Sequence, residues 1–309
     1  MVYTRHSVIL IVFALCSLLM SEAAFAMVKR ARPPVVTRKA PTKTVLAKTV
    51  LAKTVQKKSA PAKIVPAKVV PVQPQTPRSI FAQGELLRFS ATFNQLDAGG
   101  GEIQLRQERQ ADGRDVFRFI GKARTSEWID LLYKRRDNAE AIFGVSDYSP
   151  FSFLLLSREG DRRREYGVQY DPQTKTLVGS VKRKAHVREQ SLPASNVYDP
   201  ISALYLLRSR EMAPGKSFET QIFTGKGHYR FVAQVRGQET IDVDGKKRPA
   251  FRLHPEVYSL EKDTHENILP QETTLWVSAD PTHIPLKFES GTTWGWIVVE
   301  LDKRSLARE

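Results

Sequence analysis

The sequence predicts a mainly β protein: a curved or partly closed antiparallel sheet with one or two short helices, preceded by a signal peptide and a disordered basic linker. Three observations carry this reading. From Gly84 onward, apolar and polar residues alternate with period two through a series of short runs. Turn-forming pairs separate those runs. Helical patterns are rare and do not alternate with the strands, which argues against a parallel α/β fold.

Residues 1–26 have the layout of a signal peptide. Arg5 and His6 open it, residues 7–20 are uncharged and mostly apolar, and Ala24-Phe25-Ala26 offers small side chains for cleavage after Ala26. The apolar run is shorter than the roughly 20 residues a membrane span needs, so removal and export to the periplasm are expected. Leu15 is too large for the usual lipoprotein site at Cys16. That cysteine is the only one in the chain, so the mature protein has no disulfide, zinc-thiolate site or cysteine nucleophile.

Residues 27–79 read as a disordered Lys/Pro-rich linker. Lys43, Lys48, Lys53, Lys58, Lys63 and Lys68 recur every fifth position in imperfect copies of LAKTV and PAKIV. Of the chain's net +15, thirteen charges lie in residues 27–78, which contain no Asp or Glu, and Arg5 offsets Glu22; residues 79–309 therefore carry +2. The tract has no aromatic residue and repels itself, so burial cannot offset its chain entropy. It serves either as a spacer or as a polyanion binder for lipid headgroups or cell-wall polymer. Nucleic acid is not expected, because export removes the chain from it and no aromatic is present to stack on bases.

Residues 80–309 read as the β-rich domain. Strands are expected at 85–94, 100–110, 116–125, 137–143, 150–158, 163–171 and 175–190, with Leu96-Asp97-Ala98-Gly99 and Asp171-Pro172-Gln173-Thr174 as connections. Ser126 can cap a helix over residues 127–133 that turns Trp128, Leu131 and Leu132 toward a core. Asp199 can cap a second helix with Pro200 at its first position, followed by an apolar stripe of Ile201, Leu204, Tyr205 and Leu207 and an end near Pro214-Gly215. Further strands are expected at 218–223, 227–241, 248–258, 271–278, 284–289 and 293–301, with Asp244-Gly245 as a hairpin turn.

The order GELLRF, a Gly-rich turn at 96–101, Trp128 to Tyr133, Tyr-Ser-Pro at 148–150, DPISALYLLR at 199–208 and LWVSADPTHIPLKFES at 275–290 resembles the bacterial envelope family catalogued as domain of unknown function 3108. The resemblance covers nearly all of residues 84–303. It implies a periplasmic β-rich domain and supplies no catalytic residues.

No chemical signature stands out. His186, His228, His254, His265 and His283 form no HExxH, and on a strand Asp263 and His265 would face away from Glu266. There is no GxSxG elbow, phosphate loop or dinucleotide fingerprint, so neither catalytic residues nor a metal or cofactor is expected. Gly99, Gly100 and Gly101 read as a turn or bulge. Trp294 and Trp296 share a strand face, with Trp276 on a neighbouring strand; they either pack in the core or line a stacking surface on the concave side. Phe151, Phe153 and Leu155 make a second same-face series, with Leu154 and Leu156 opposite, either doubly buried or lining a lipid-like cavity. The expectation is a non-enzymatic envelope binding or assembly factor for a lipid-like or polymeric ligand. A hydrolase with an unrecognised site, or an adaptor that binds another envelope protein through a sheet edge, are the alternatives.

Overall fold

The computed structural model describes residues 81, 84–261, 266–292 and 295–305. The signal peptide, the linker with its six periodic lysines, Asp263, His265 and Trp294 lie outside the described residues. The strands are β1 (Glu85–Phe93), β2 (Leu96–Arg109), β3 (Asp115–Thr125), β4 (Arg135–Gly144), β5 (Pro150–Glu159), β6 (Arg162–Asp171), β7 (Thr176–Arg183), β8 (His186–Pro193), β9 (Val197–Tyr198), β10 (Ser217–Phe223), β11 (His228–Val243), β12 (Lys246–Ser259), β13 (Thr274–Ser278), β14 (Pro285–Thr292) and β15 (Gly295–Ser305). The helices are α1 (Glu127–Tyr133) and α2 (Pro200–Arg208).

All the strands join one sheet, in the order β8 to β1, then β15 down to β9. Two antiparallel meanders thus meet where β1 pairs with β15, and among the described residues only β9 pairs in parallel, on β10. The two terminal strands, β8 and β9, are consecutive in the chain, so the sheet curls into a nearly closed barrel. The β10–β11 turn helps to close it. A Cβ on Gly179 of β7 would lie 2.3 Å from Cζ of Phe223, and one on Gly225 would lie 2.3 Å from the Gly167 carbonyl of β6. Only glycine permits that approach.

Meander pairing sorts the connections onto two rims. The first carries the β1–β2 hairpin, α1, the β5–β6 and β7–β8 turns and the start of β15. The second carries the start of β1, the β4–β5 connection and the β13–β14 turn. Strand alternation fills the interior: Phe117 and Phe119 of β3, Ala139, Ala141 and Phe143 of β4, and Phe153 and Leu155 of β5 are all buried.

α2 lies within this core. The Asp199 carboxylate accepts from the backbone N of Ile201 at 2.8 Å and of Ser202 at 3.2 Å, with Pro200 at the first helical position, as expected. The helix ends at Arg208, short of the end expected near Pro214-Gly215; of the predicted stripe Leu204 is only partly buried, whereas Ala203, Leu206 and Arg208 are buried beyond it. Tyr205 packs its ring 5.2 Å from Phe81, 5.4 Å from Phe143 and 6.3 Å from Phe119, centroid to centroid.

Asp199 is fully buried, and burial pushes its carboxyl up to about 6, against the pull of its capping bonds. An acid with a raised folded pKa stabilises the fold below its unfolded value, and that contribution is lost as pH rises through the folded one. From an ordinary 3.8 to about 6, the change is roughly 3 kcal/mol. Asp199→Asn keeps a capping oxygen and removes the titration. The stability of wild type relative to Asp199→Asn should therefore fall between about pH 4 and pH 6. Parallel urea-unfolding curves across that range would refute the assignment.

Several expectations are corrected. The first hairpin turns at Asn94 and Gln95, both in the left-handed region, so residues 96–99 belong to β2 and not to a connection. Residues 175–190 are two strands, split by a turn with Lys184 in the left-handed region. α1 forms where expected, but it buries nothing: Leu131 and Leu132 are exposed, not turned toward a core. Ser126 makes no side-chain cap, because its hydroxyl donates instead to the Asp97 carbonyl at 3.0 Å.

Candidate functional site

The predicted aromatic residues do not form a common surface. Trp276 is half-buried on the outer face of β13, where Nε1 donates to Glu239 Oε1 at 2.7 Å and Lys287 Nζ lies 5.9 Å from the ring. Trp296 is also on the outer face and is exposed at the first rim. In the register of β13, β14 and β15, the two lie four residues along and two strands across, about 16 Å apart. Both sit on the convex side of the sheet, not the concave one. Phe153 points inward and is buried. Phe151 sits at a register shift between β4 and β5 near the second rim, with the Arg114 guanidinium 4.5 Å from its ring centroid. Leu156 is exposed, so β5 is not covered on both faces.

A different site assembles on the outer face of β1 to β4. Gly99, Gly100 and Gly101 put three residues without side chains into β2. The strand geometry requires the first two. Gly99 has φ +132°, and a Cβ there would lie 2.1 Å from the Arg124 carbonyl; one on Gly100 would lie 2.5 Å from the Phe89 carbonyl. The bulge expected from this segment appears as the register shift between Ala91 and Thr92 on the paired β1. The missing side chains leave a groove of about 880 Å³ with Gly99, Gly100 and Gly101 along its floor.

Its walls are charged and unevenly committed. Arg88 Nε pairs with Glu102 Oε2 at 2.7 Å across the strand pair. Arg136 is held by Asp130 of α1, whose carboxyl is drawn down to about 2 by its hydrogen bonds from Arg136 and Thr125. Lys122 and Arg124 are exposed on the same face of β3, about 7 Å apart along the strand. Neither side chain has an ion-pair or hydrogen-bond partner among the described residues. The groove thus offers the uncommitted cations Lys122 and Arg124 over a peptide floor, with the carboxylates of Glu127 and Asp302 also on its lining. Its lining contains no histidine. A second, smaller groove on the outer face of β4 to β8, about 430 Å³, is lined by Glu140, Glu165 and Glu189. Among the described residues no group of three or more His, Cys, Asp or Glu side chains is placed to hold a metal ion.

Sequence reasoning missed this site, although a signal was present. In VFRFIGKART the alternation sends Lys122 and Arg124 to the polar face, directly opposite Glu102 and Gly100 of the glycine segment. Pairing those two runs in register would have exposed the groove.

The family model described as "Protein of unknown function (DUF3108)" matches residues 88–302. No curated protein matches the chain. Among solved structures, a β-barrel-like protein of domain of unknown function DUF1849 from Brucella abortus is similar over 74% of this chain and 100% of its own, at 11% identity and a TM-score of 0.48.

Proposed function

The chain belongs to the DUF3108 family, and from that premise we propose that it is an exported, non-enzymatic binding or assembly factor for a cell-envelope component, with a polymeric ligand bearing anionic groups held in the groove over β1 to β4. Lys122 and Arg124 carry the reading: they are two exposed cations without partners among the described residues, set beside a floor that only glycine can form. An extended polymer can lie along such a floor, with its carboxylates or phosphates over β3. The interior favours an external site over a lipid-like cavity, because α2 and the aromatic cluster around Tyr205 pack there. Export rests on residues 1–26. The lysines of residues 27–79 would add a sequence-independent attraction to the same anionic material or to an anionic membrane surface.

The adaptor reading keeps one specific observation. β8 ends the sheet, is exposed along most of its length and, among the described residues, pairs with β7 alone. Its Arg188 and Glu189 are the kind of charges that guard an edge against unwanted pairing.

Charge reversal tests the groove. In a pelleting assay with purified peptidoglycan sacculi, the Lys122→Glu, Arg124→Glu double variant should lose about tenfold in affinity, equivalent to ~1.4 kcal/mol. Lys122→Glu would face Glu102 across the strand pair, so a Lys122→Gln, Arg124→Gln variant, whose melting temperature should match wild type, is measured beside it. A separate variant with Lys43, Lys48, Lys53, Lys58, Lys63 and Lys68 changed to Gln measures the tract's share. Binding unchanged by the groove substitutions, and abolished by the tract substitutions, would remove the groove from the account.

A further inference from the structure

The first rim exposes apolar side chains that the fold does not use. Leu131 is 86% exposed, Leu132 70%, Leu96 58% and Trp296 46%, and Trp128 is also on the surface. They are joined by hydrogen bonds. Trp128 Nε1 donates to the Asp97 carbonyl, which ties α1 to the start of β2 beside Leu96. Asn94 and Trp296 exchange two bonds, backbone N to the Trp296 carbonyl at 2.9 Å and Trp296 N to Asn94 Oδ1 at 2.9 Å. The β1–β2 hairpin thus links the helix to Trp296. Exposed apolar clusters of this kind mark interaction surfaces.

The same rim is basic. Lys134 follows α1, Arg162 and Arg163 leave the β5–β6 turn, and Arg183 and Lys184 form part of the β7–β8 turn; all five are exposed. None of them forms an ion pair among the described residues. The β5–β6 turn is set against the end of α1, because Gly160 N donates to the Lys134 carbonyl at 2.8 Å. Arg158 and Arg163 lie directly opposite each other across β5 and β6, a like-charge pair that destabilises a sheet unless an anion is nearby. Of the neighbouring acids, Asp130 is held by Arg136, and Glu159 by Arg135 and Arg164; Glu127 of α1 and Asp161 of the β5–β6 turn are exposed, and the five cations outnumber them.

We propose that this rim seats on an anionic phospholipid surface. Trp128 and Trp296 would lie at the headgroup boundary, where an amphipathic ring is most favourable, with Leu131, Leu132 and Leu96 just below. The arginines and lysines of the turns would meet the phosphates. α1 has seven residues and spans about 10 Å, so it can lie in the interface but cannot cross the bilayer. Charge complementarity selects the occupant: five exposed cations without ion-pair partners among the described residues ring the apolar side chains, which matches an anionic headgroup layer over acyl chains. The inference does not depend on what occupies the groove over β1 to β4.

Tryptophan fluorescence of the mature chain tests it, since residues 27–79 contain no tryptophan. Added vesicles of mixed phosphatidylethanolamine and phosphatidylglycerol should shift the emission to the blue, and bromine-labelled acyl chains should quench it. Vesicles of phosphatidylcholine alone should do neither. Trp128→Phe and Trp296→Phe should each remove part of the quenching. Leu131→Asp with Leu132→Asp should abolish it and weaken vesicle cosedimentation at least tenfold, with melting temperature unchanged. Cosedimentation with unshifted emission would mean that the basic tract alone binds, and the proposal fails. It fails equally if no cosedimentation occurs, or if the leucine substitutions instead dissolve a lipid-independent dimer seen by sedimentation.

Discussion

Replacing Glu85 by glutamine is expected to destabilise the domain by about 3–5 kcal/mol, and replacing Arg208 by methionine in the same chain should recover much of that loss. Both groups are buried at the second rim. Glu85 Oε1 accepts from Arg208 Nη1 at 2.5 Å and from the Tyr205 hydroxyl at 2.7 Å, and Oε2 accepts from Nη2 at 2.9 Å. Arg208 Nε donates to the Thr282 carbonyl at 3.2 Å, and the guanidinium stacks 4.8 Å from the rings of Phe81 and Tyr205. One pair therefore joins β1, α2 and the β13–β14 turn, which come from the two meanders and from the connection between them. Removing one partner leaves the other charged and dry, whereas removing both leaves a site that apolar atoms can fill. Burial alone would push the Glu85 carboxyl up, but Arg208 outweighs it and holds the carboxyl below the usual range. The pair's contribution is thus present above about pH 4.5 and is lost as pH falls through the lower folded value. A double-mutant cycle in urea measures the coupling. Additive losses from the two single changes would mean that the pair is not the unit holding these elements together.

Much of this architecture was legible, for identifiable reasons. Period-two alternation marks strands whenever one face is buried, and thirteen of the expected segments became strands or parts of them. Asp199-Pro200 marked α2 because capping and proline chemistry are local. Errors arose where a local pattern had two physical outcomes. Residues 127–133 carry Trp and Leu at helical spacing, which normally means a buried face, but α1 sits on a rim with nothing above it. Residues 175–190 alternate without a break, and only the left-handed backbone of Lys184 turns them into two strands. Trp276 and Trp296 alternate outward because Leu275, Val277 and Ile297 alternate inward, and parity alone cannot say which face is convex. The Glu85–Arg208 pair joins residues 123 positions apart and has no local signature at all. The groove stood between these cases: its glycines and cations were visible, but their adjacency required a strand register.

Arg135→Met should cost about 3–5 kcal/mol, while Arg88→Met should cost less than ~1 kcal/mol, although each removes an arginine from a cross-linked carboxylate. The difference lies in burial. Arg88 and Glu102 are half-exposed, so water replaces either partner. Arg135 is buried, with Nε 2.7 Å from Asp137 Oδ2 and Nη1 3.6 Å from Glu159 Oε1; both carboxylates are buried too. Burial disfavours the charged arginine, but these carboxylates prevail and raise its pKa. Among the described residues Arg164 pairs with Glu159, at 3.5 Å, and with no other carboxylate, and Arg135 is the ion-pair partner that Asp137 would lose. Arg135 also anchors α1 from inside. Its backbone N donates to Thr125 Oγ1 at 2.9 Å, that hydroxyl donates to Asp130 of α1 at 2.5 Å, and Nη1 donates to the Tyr133 hydroxyl at 3.5 Å. The rim that presents Trp128, Leu131 and Leu132 is therefore fixed by an ionic cluster beneath it. Arg135→Met should then loosen α1 at temperatures where the sheet still holds, read as faster amide exchange over residues 127–133 than over β3. Equal urea midpoints for Arg135→Met and Arg88→Met would show that the buried cluster contributes no more than a surface pair, and the helix would need another anchor.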